Sequence, residues 1–133
     1  MNVMKKIAAL VVLLALMLSL AGCGDSVSIG AFSSKYYNGD AYDSAVQELM
    51  THFNSLGGCT VKKIGYAGDK VVKEEAAARG LAPEQLIVLT SDFETDASSR
   101  KDGLEPGKTY EDYRWILTRG GSFDPFWTVE EQG

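Results

Sequence analysis

The chain has 133 residues, 13 of them basic and 18 acidic, with one His, two Cys and 45% apolar residues, which is enough for one small domain. The most apolar block is N-terminal; leaving out residues 1–22 removes Lys5 and Lys6, so the remaining 111 residues carry 11 bases against 18 acids, a formal charge of −7. So acidic a chain is repelled by phosphate backbones, and it shows no basic stripe, which argues against nucleic acid as a partner.

Residues 1–22 open with Lys5 and Lys6, continue through a largely apolar run over 7–20, and end in the small residues Ala21 and Gly22 before Cys23. This is the layout of a secretory signal peptide, and the run of 14 residues falls short of the roughly 17–25 that span a bilayer as a helix. The tetrapeptide Leu20-Ala21-Gly22-Cys23 resembles the bacterial lipoprotein lipobox. That resemblance implies transfer of a diacylglycerol to the Cys23 thiol and cleavage before it, so that membrane lipid holds the protein on the extracytoplasmic face through acylated Cys23. More than one acyl chain is needed for stable anchoring, since each buried methylene contributes only about 0.8 kcal/mol. With Cys23 lipidated, Cys59 is left without a disulfide partner and is read as a small buried hydrophobe.

Residues 23–39 follow neither the strand nor the helix period and read as the lipidated cysteine and a flexible tether. From Asp40 the pattern changes. Tyr42, Ala45, Val46, Leu49, Phe53 and Leu56 recur at helical spacing, with Asp40 as N-cap and Gly57-Gly58 as the stop. Residues 60–66 are β-branched and aromatic enough for a strand, and Gly68-Asp69 turns the chain. Asp69 is placed to cap a second helix over 70–79, whose apolar face holds only Val72 and Ala76 and which Gly80 closes. Residues 85–95 form a strand with Ile87, Leu89 and Phe93 on one face. The charged, Ser/Gly/Pro-rich stretch 96–108 is a loop. In 109–119 Tyr113, Trp115 and Leu117 share a face opposite Asp112, Arg114 and Thr118. Gly120-Gly121 and Pro125 turn the chain into a last strand over 126–131, with Trp127 and Val129 facing inward. The order helix, strand, helix, then three antiparallel strands predicts an α+β domain over 40–133, a curved sheet packed on the first helix.

Few residues offer chemistry. His52 is the single histidine, which removes Cys/His metal clusters and most nucleophile–His arrangements; it borders the apolar face of the first helix and reads as a surface residue. Asp92, Glu94, Asp96 and Asp102-Gly103 superficially resemble a Ca²⁺ loop. Counting from Asp92, however, positions six and twelve are Ala97 and Gly103 where such a loop needs Gly and a bidentate Glu, and Arg100 and Lys101 intrude. No catalytic, cofactor-binding or metal-ligating residue is therefore assigned; the assigned site is lipidation at Cys23.

Gly57-Gly58-Cys59-Thr60, the segment Leu86-Ile87-Val88-Leu89-Thr90-Ser91-Asp92-Phe93, Leu104-Glu105-Pro106-Gly107-Lys108-Thr109-Tyr110, Trp115-Ile116-Leu117-Thr118-Arg119 and Trp127-Thr128-Val129 together resemble an uncharacterised family of small lipoproteins from anaerobic Gram-positive bacteria. The order of elements is also similar to NTF2-like or cystatin-like domains, in which a curved antiparallel sheet wraps a helix. The first resemblance implies a location and a fold but no site residues. The second implies a concave sheet face able to hold an apolar pocket, with Asp112 or Tyr66 as candidates for proton transfer if the protein is a small isomerase- or dehydratase-type enzyme. The expectation is a non-catalytic, membrane-anchored domain that binds a small apolar ligand or an envelope protein through its sheet face or its acidic loop; such a binding module predicts an empty apolar cavity or an exposed aromatic patch.

Overall fold

A computed structural model of the chain describes residues 27–97 and 104–132; the signal segment 1–22, Cys23 and Asp102 lie outside them. The elements are strand β1 (Ser28–Ile29), helix α1 (Gly39–Leu56), strand β2 (Cys59–Tyr66), helix α2 (Asp69–Arg79), a 3-10 turn (Pro83–Gln85), and strands β3 (Leu86–Thr95), β4 (Thr109–Thr118) and β5 (Thr128–Gln132). The class is α+β. The strands make one sheet in the order β1-β2-β3-β4-β5, antiparallel throughout except for β1, which runs parallel to β2.

All six apolar positions expected to line α1 are buried, because the spacing of three and four residues puts them on one stripe. The cap is Asn38 rather than Asp40: the Ala41 N–H donates to Asn38 Oδ1 at 2.9 Å, and Asp40 sits inside the first turn, where its charge favours the helix dipole. Gly57, at φ 71°, ends the helix by donating its N–H to the Phe53 carbonyl. Helix α2 buries Val72 and Ala76 and ends at Gly80 in the left-handed conformation. Its expected cap does not form. Gly68 precedes the helix without a side-chain bond, and the Asp69 carboxylate bonds elsewhere.

The stretch 27–38, read as tether, packs on the domain. Ser28 and Ile29 pair with Lys63 and Ile64 on the edge of β2, Gly30 donates its N–H to the Ile64 carbonyl at 2.8 Å, and Val27 and Tyr37 are buried. A two-residue strand has no period to detect; the open edge of β2 supplies its hydrogen bonds, and the aromatic residues that follow supply its packing.

Aromatic rings fill the space between α1 and the sheet. Trp115, fully buried, meets Phe53 edge-on at 5.0 Å and His52 at 5.3 Å, while Phe93 packs on Phe53 at 4.9 Å and stacks on Tyr110 at 4.8 Å. Leu49, Leu89 and Leu117 close the remainder. The face expected to hold a concave apolar pocket is solid core, because Trp and Phe side chains from both layers interdigitate across it.

Candidate functional site

Two polar groupings lie at the end of the sheet where β2 and β4 finish and β3 begins. The first is a clasp around Asp69. Its carboxylate accepts from the Ser34 hydroxyl at 2.6 Å, the Lys35 N–H at 2.9 Å and the Tyr66 hydroxyl. Phe32 stacks on Tyr42 at 4.4 Å and meets Tyr66 edge-on at 5.2 Å, while the Tyr42 hydroxyl donates to the Gly30 carbonyl at 3.2 Å. Tyr37 donates to the carbonyls of Leu86 and Pro83. Burial pushes the Tyr37 phenol well above its ordinary range, helped by neighbouring Tyr66. Burial does the same for Tyr66, whose hydrogen bond to Asp69 adds to the effect. Partial burial would raise the Asp69 carboxyl, but the Lys35 N–H and the Ser34 and Tyr66 hydroxyls outweigh it and hold the carboxyl below the usual range. Phenols fixed as donors and a carboxylate fixed as acceptor do not exchange protons near neutral pH. The chemistry of the clasp is to hold 30–37 against β2 and the start of α2.

Of the two residues proposed for proton transfer, Tyr66 is thus engaged by Asp69. Asp112 is exposed, stands in the left-handed region at φ 49°, and donates its N–H to Asp92 Oδ1 at 2.8 Å. It belongs to the irregularity where the pairing of β3 with β4 shifts between Ser91 and Phe93, a bulge that turns its carboxylate outward. His52 is half-buried on α1 against Trp115. Cys59 is half-buried at the start of β2, opposite Thr95. Asp92 serves the bulge, and Asp96, exposed, packs against Gly58. Among the described residues no group of three or more His, Cys, Asp or Glu is placed to hold a metal ion.

The second grouping is a cleft of about 420 Å³ between the N-terminal turn of α1 and the loop from β4 to β5, bordered by Lys35, Tyr36, Ser44, Arg119, Phe123 and Trp127 among others. Trp127 is nearly buried, and its indole N–H donates to the Ala41 carbonyl at 3.0 Å. The Arg119 guanidinium lies 4.4 Å from the centre of the Trp127 ring, within cation–π range. Its Nε donates to the Glu84 carbonyl at 2.8 Å and its Nη1 to the Asp124 carbonyl at 3.3 Å. Burial lowers the Arg119 pKa from its ordinary value, against the opposing pull of Tyr37, Asp124 and Glu84. Asp124 bends the loop: its carboxylate accepts from the N–H groups of Phe126 at 2.9 Å and Gly120 at 3.0 Å, which hold it below the usual carboxylate range. The bend leaves Phe123 98% exposed and Phe126 77% exposed.

Apart from Trp127, an aromatic residue weighed as core packing or part of a pocket, none of these cleft residues was singled out for function in the sequence, although a signal was present. In Gly120-Gly121-Ser122-Phe123-Asp124-Pro125-Phe126 two phenylalanines stand among turn formers, where a residue has no strand or helix face through which to reach a core. Phe126, expected in the last strand, lies in this loop, and β5 begins at Thr128. Comparison with protein-family models, with curated proteins and with solved structures returned no match.

Proposed function

We propose that the protein is a lipid-anchored, extracytoplasmic interaction domain whose working surface is the cleft beside α1 and its phenylalanine rim, and whose partner is a protein of the cell envelope. The observation that carries this reading is the pair Phe123 and Phe126, 98% and 77% exposed, on a loop held in shape by Asp124 and Arg119. Large exposed apolar side chains on an ordered loop mark a contact surface. The internal apolar ligand considered from sequence has no comparable support, since the space between α1 and the sheet is packed with Trp115, Phe93 and Phe53.

The strand directions support the orientation this function requires. Strand β1 is parallel to β2 with Ser28 beside Lys63, so the chain enters the sheet from the end where Cys59 pairs with Thr95. The cleft lies at the other end, past the pairing of Leu86 with Thr118. Three residues separate Cys23 from Val27, a reach of no more than about 14 Å. In this reading an acylated Cys23 holds the domain near the bilayer by the end of the sheet away from the cleft.

Replacing Cys23 by Ala is expected to abolish palmitate incorporation and release the protein from the membrane fraction. A photo-crosslinking residue at position 123 in intact cells is expected to give discrete protein adducts, and the same residue at the exposed Lys70 is not. Palmitate-free protein in the wild type, or adducts equal at the two positions, overturns the proposal.

A further inference from the structure

We infer that the cleft recognises the C-terminal carboxylate of a peptide ending in an apolar residue, with the carboxylate on Arg119 and the apolar side chain against Phe123. The inference rests on the reading of this cleft as the working surface and names what it takes.

Arg119 is half-buried on Trp127, yet the partners of its guanidinium are the main-chain carbonyls of Glu84 and Asp124. Carbonyl dipoles orient a guanidinium without cancelling its charge, and although Asp124 and Glu84 lie near enough to act on that charge through space, neither carboxylate forms an ion pair with it among the described residues. The nearest loop carboxylate, that of Asp124, faces the N–H groups of Gly120 and Phe126 instead. Nη2 has no partner among the described residues. The indole ring 4.4 Å away and the two carbonyls hold the guanidinium in place, which is the preorganisation that recognition of a carboxylate needs.

The surroundings narrow the ligand further. Lys35 adds a second cation at the border of the cleft, while Asp40 and Asp124 add acidic groups, so the site favours a single negative charge over a doubly charged phosphate. Ser44 and Ser122 supply hydroxyls for a peptide backbone, and Phe123 supplies an apolar surface with no contact of its own in the fold. A volume of about 420 Å³ is at the low end for ligand clefts and accommodates roughly two or three residues. That suits a chain terminus better than a segment that must both enter and leave.

The test is fluorescence anisotropy on the full-length protein in mild detergent, with three labelled peptides: fluorescein-Gly-Ala-Phe as the free acid, the same peptide as its amide, and fluorescein-Gly-Glu-Phe amide. The free acid is expected to bind saturably, and both amides at least about tenfold more weakly, as loss of a charge-assisted bidentate pair predicts. Phe123→Ser, at a position too exposed to affect folding, is expected to weaken the free acid several-fold. Arg119→Lys, with its circular dichroism spectrum unchanged, is expected to erase the difference between acid and amide. Equal binding of acid and amide, tighter binding of the glutamate peptide, or no binding of the acid up to about 1 mM overturns the inference. Crosslinks that persist at position 123 alongside any of those results would leave the interaction reading standing and remove only the carboxylate; loss of both would remove both.

Discussion

Ser91 shows how one polar atom constrains the core. The Trp115 indole N–H donates to Ser91 Oγ at 2.7 Å, and both residues are buried, so the hydroxyl satisfies a donor that no water reaches. Ser91→Ala strands that N–H and should cost about 1–3 kcal/mol, read as a lower urea midpoint with unchanged slope. Asp69 constrains the surface in a pH-dependent way. Its folded pKa lies below its ordinary 3.8, so between the two values the unfolded chain binds more protons than the folded one. The stability it contributes is complete above about pH 4 and is lost as the pH falls through the folded value. Wild type should therefore exceed Asp69→Asn in melting temperature at neutral pH, and the gap should close on acidification below pH about 4; a gap independent of pH contradicts the assignment. The sequence shows that Asp69 begins a helix, where capping is the local use of a carboxylate. Besides Tyr66, its partners are Ser34 and Lys35, 35 and 34 residues away, and local pattern carries no information about those two.

At the scale of elements, the helices and strands were legible to within a few residues because each carries its own period. Helix α1 is the clearest case: six apolar positions at helical spacing became its buried stripe. Its start was misplaced by two residues, since Asn38 and Asp40 are both good caps and it is the Asn38 side chain that accepts from the Ala41 N–H. The glycines at its two ends separate backbone from packing effects. Gly39 has open space around its missing Cβ and stands in the first turn of the helix, so Gly39→Ala should stabilise by about 0.4–1 kcal/mol through the unfolded state. Gly58 has φ 68°, and a Cβ there would lie 2.6 Å from the Asp96 carboxylate; Gly58→Ala should destabilise by about 1–3 kcal/mol. Opposite shifts in melting temperature for the two alanines are the expected outcome. Strand β1 was not legible, because two residues show no alternation and the pairing belongs to the exposed edge of β2.

For the whole molecule, the boundary of the domain moves from Asp40 to at least Val27. A chain beginning at Asp40 loses β1, the Phe32 stack, the Tyr37 hydrogen bonds and the partners of Asp69. Its melting temperature should fall by at least about 8 °C relative to a chain beginning at Val27, since two or more kcal/mol correspond to roughly 4–8 °C each in a domain of this size; equal melting temperatures would return 27–38 to the status of a tether. The acidic balance, the α+β class and the identity of most core residues were determined by the sequence alone, because burial pattern, turn residues and short connections act over a few neighbours. Tertiary structure decided the packing of 27–38, the solid core under α1, the outward turn of Asp112 and the seating of Arg119 on Trp127. Those depend on contacts such as Trp127 to Ala41, 86 residues apart, whose partners are chosen by which surfaces meet once the sheet has formed.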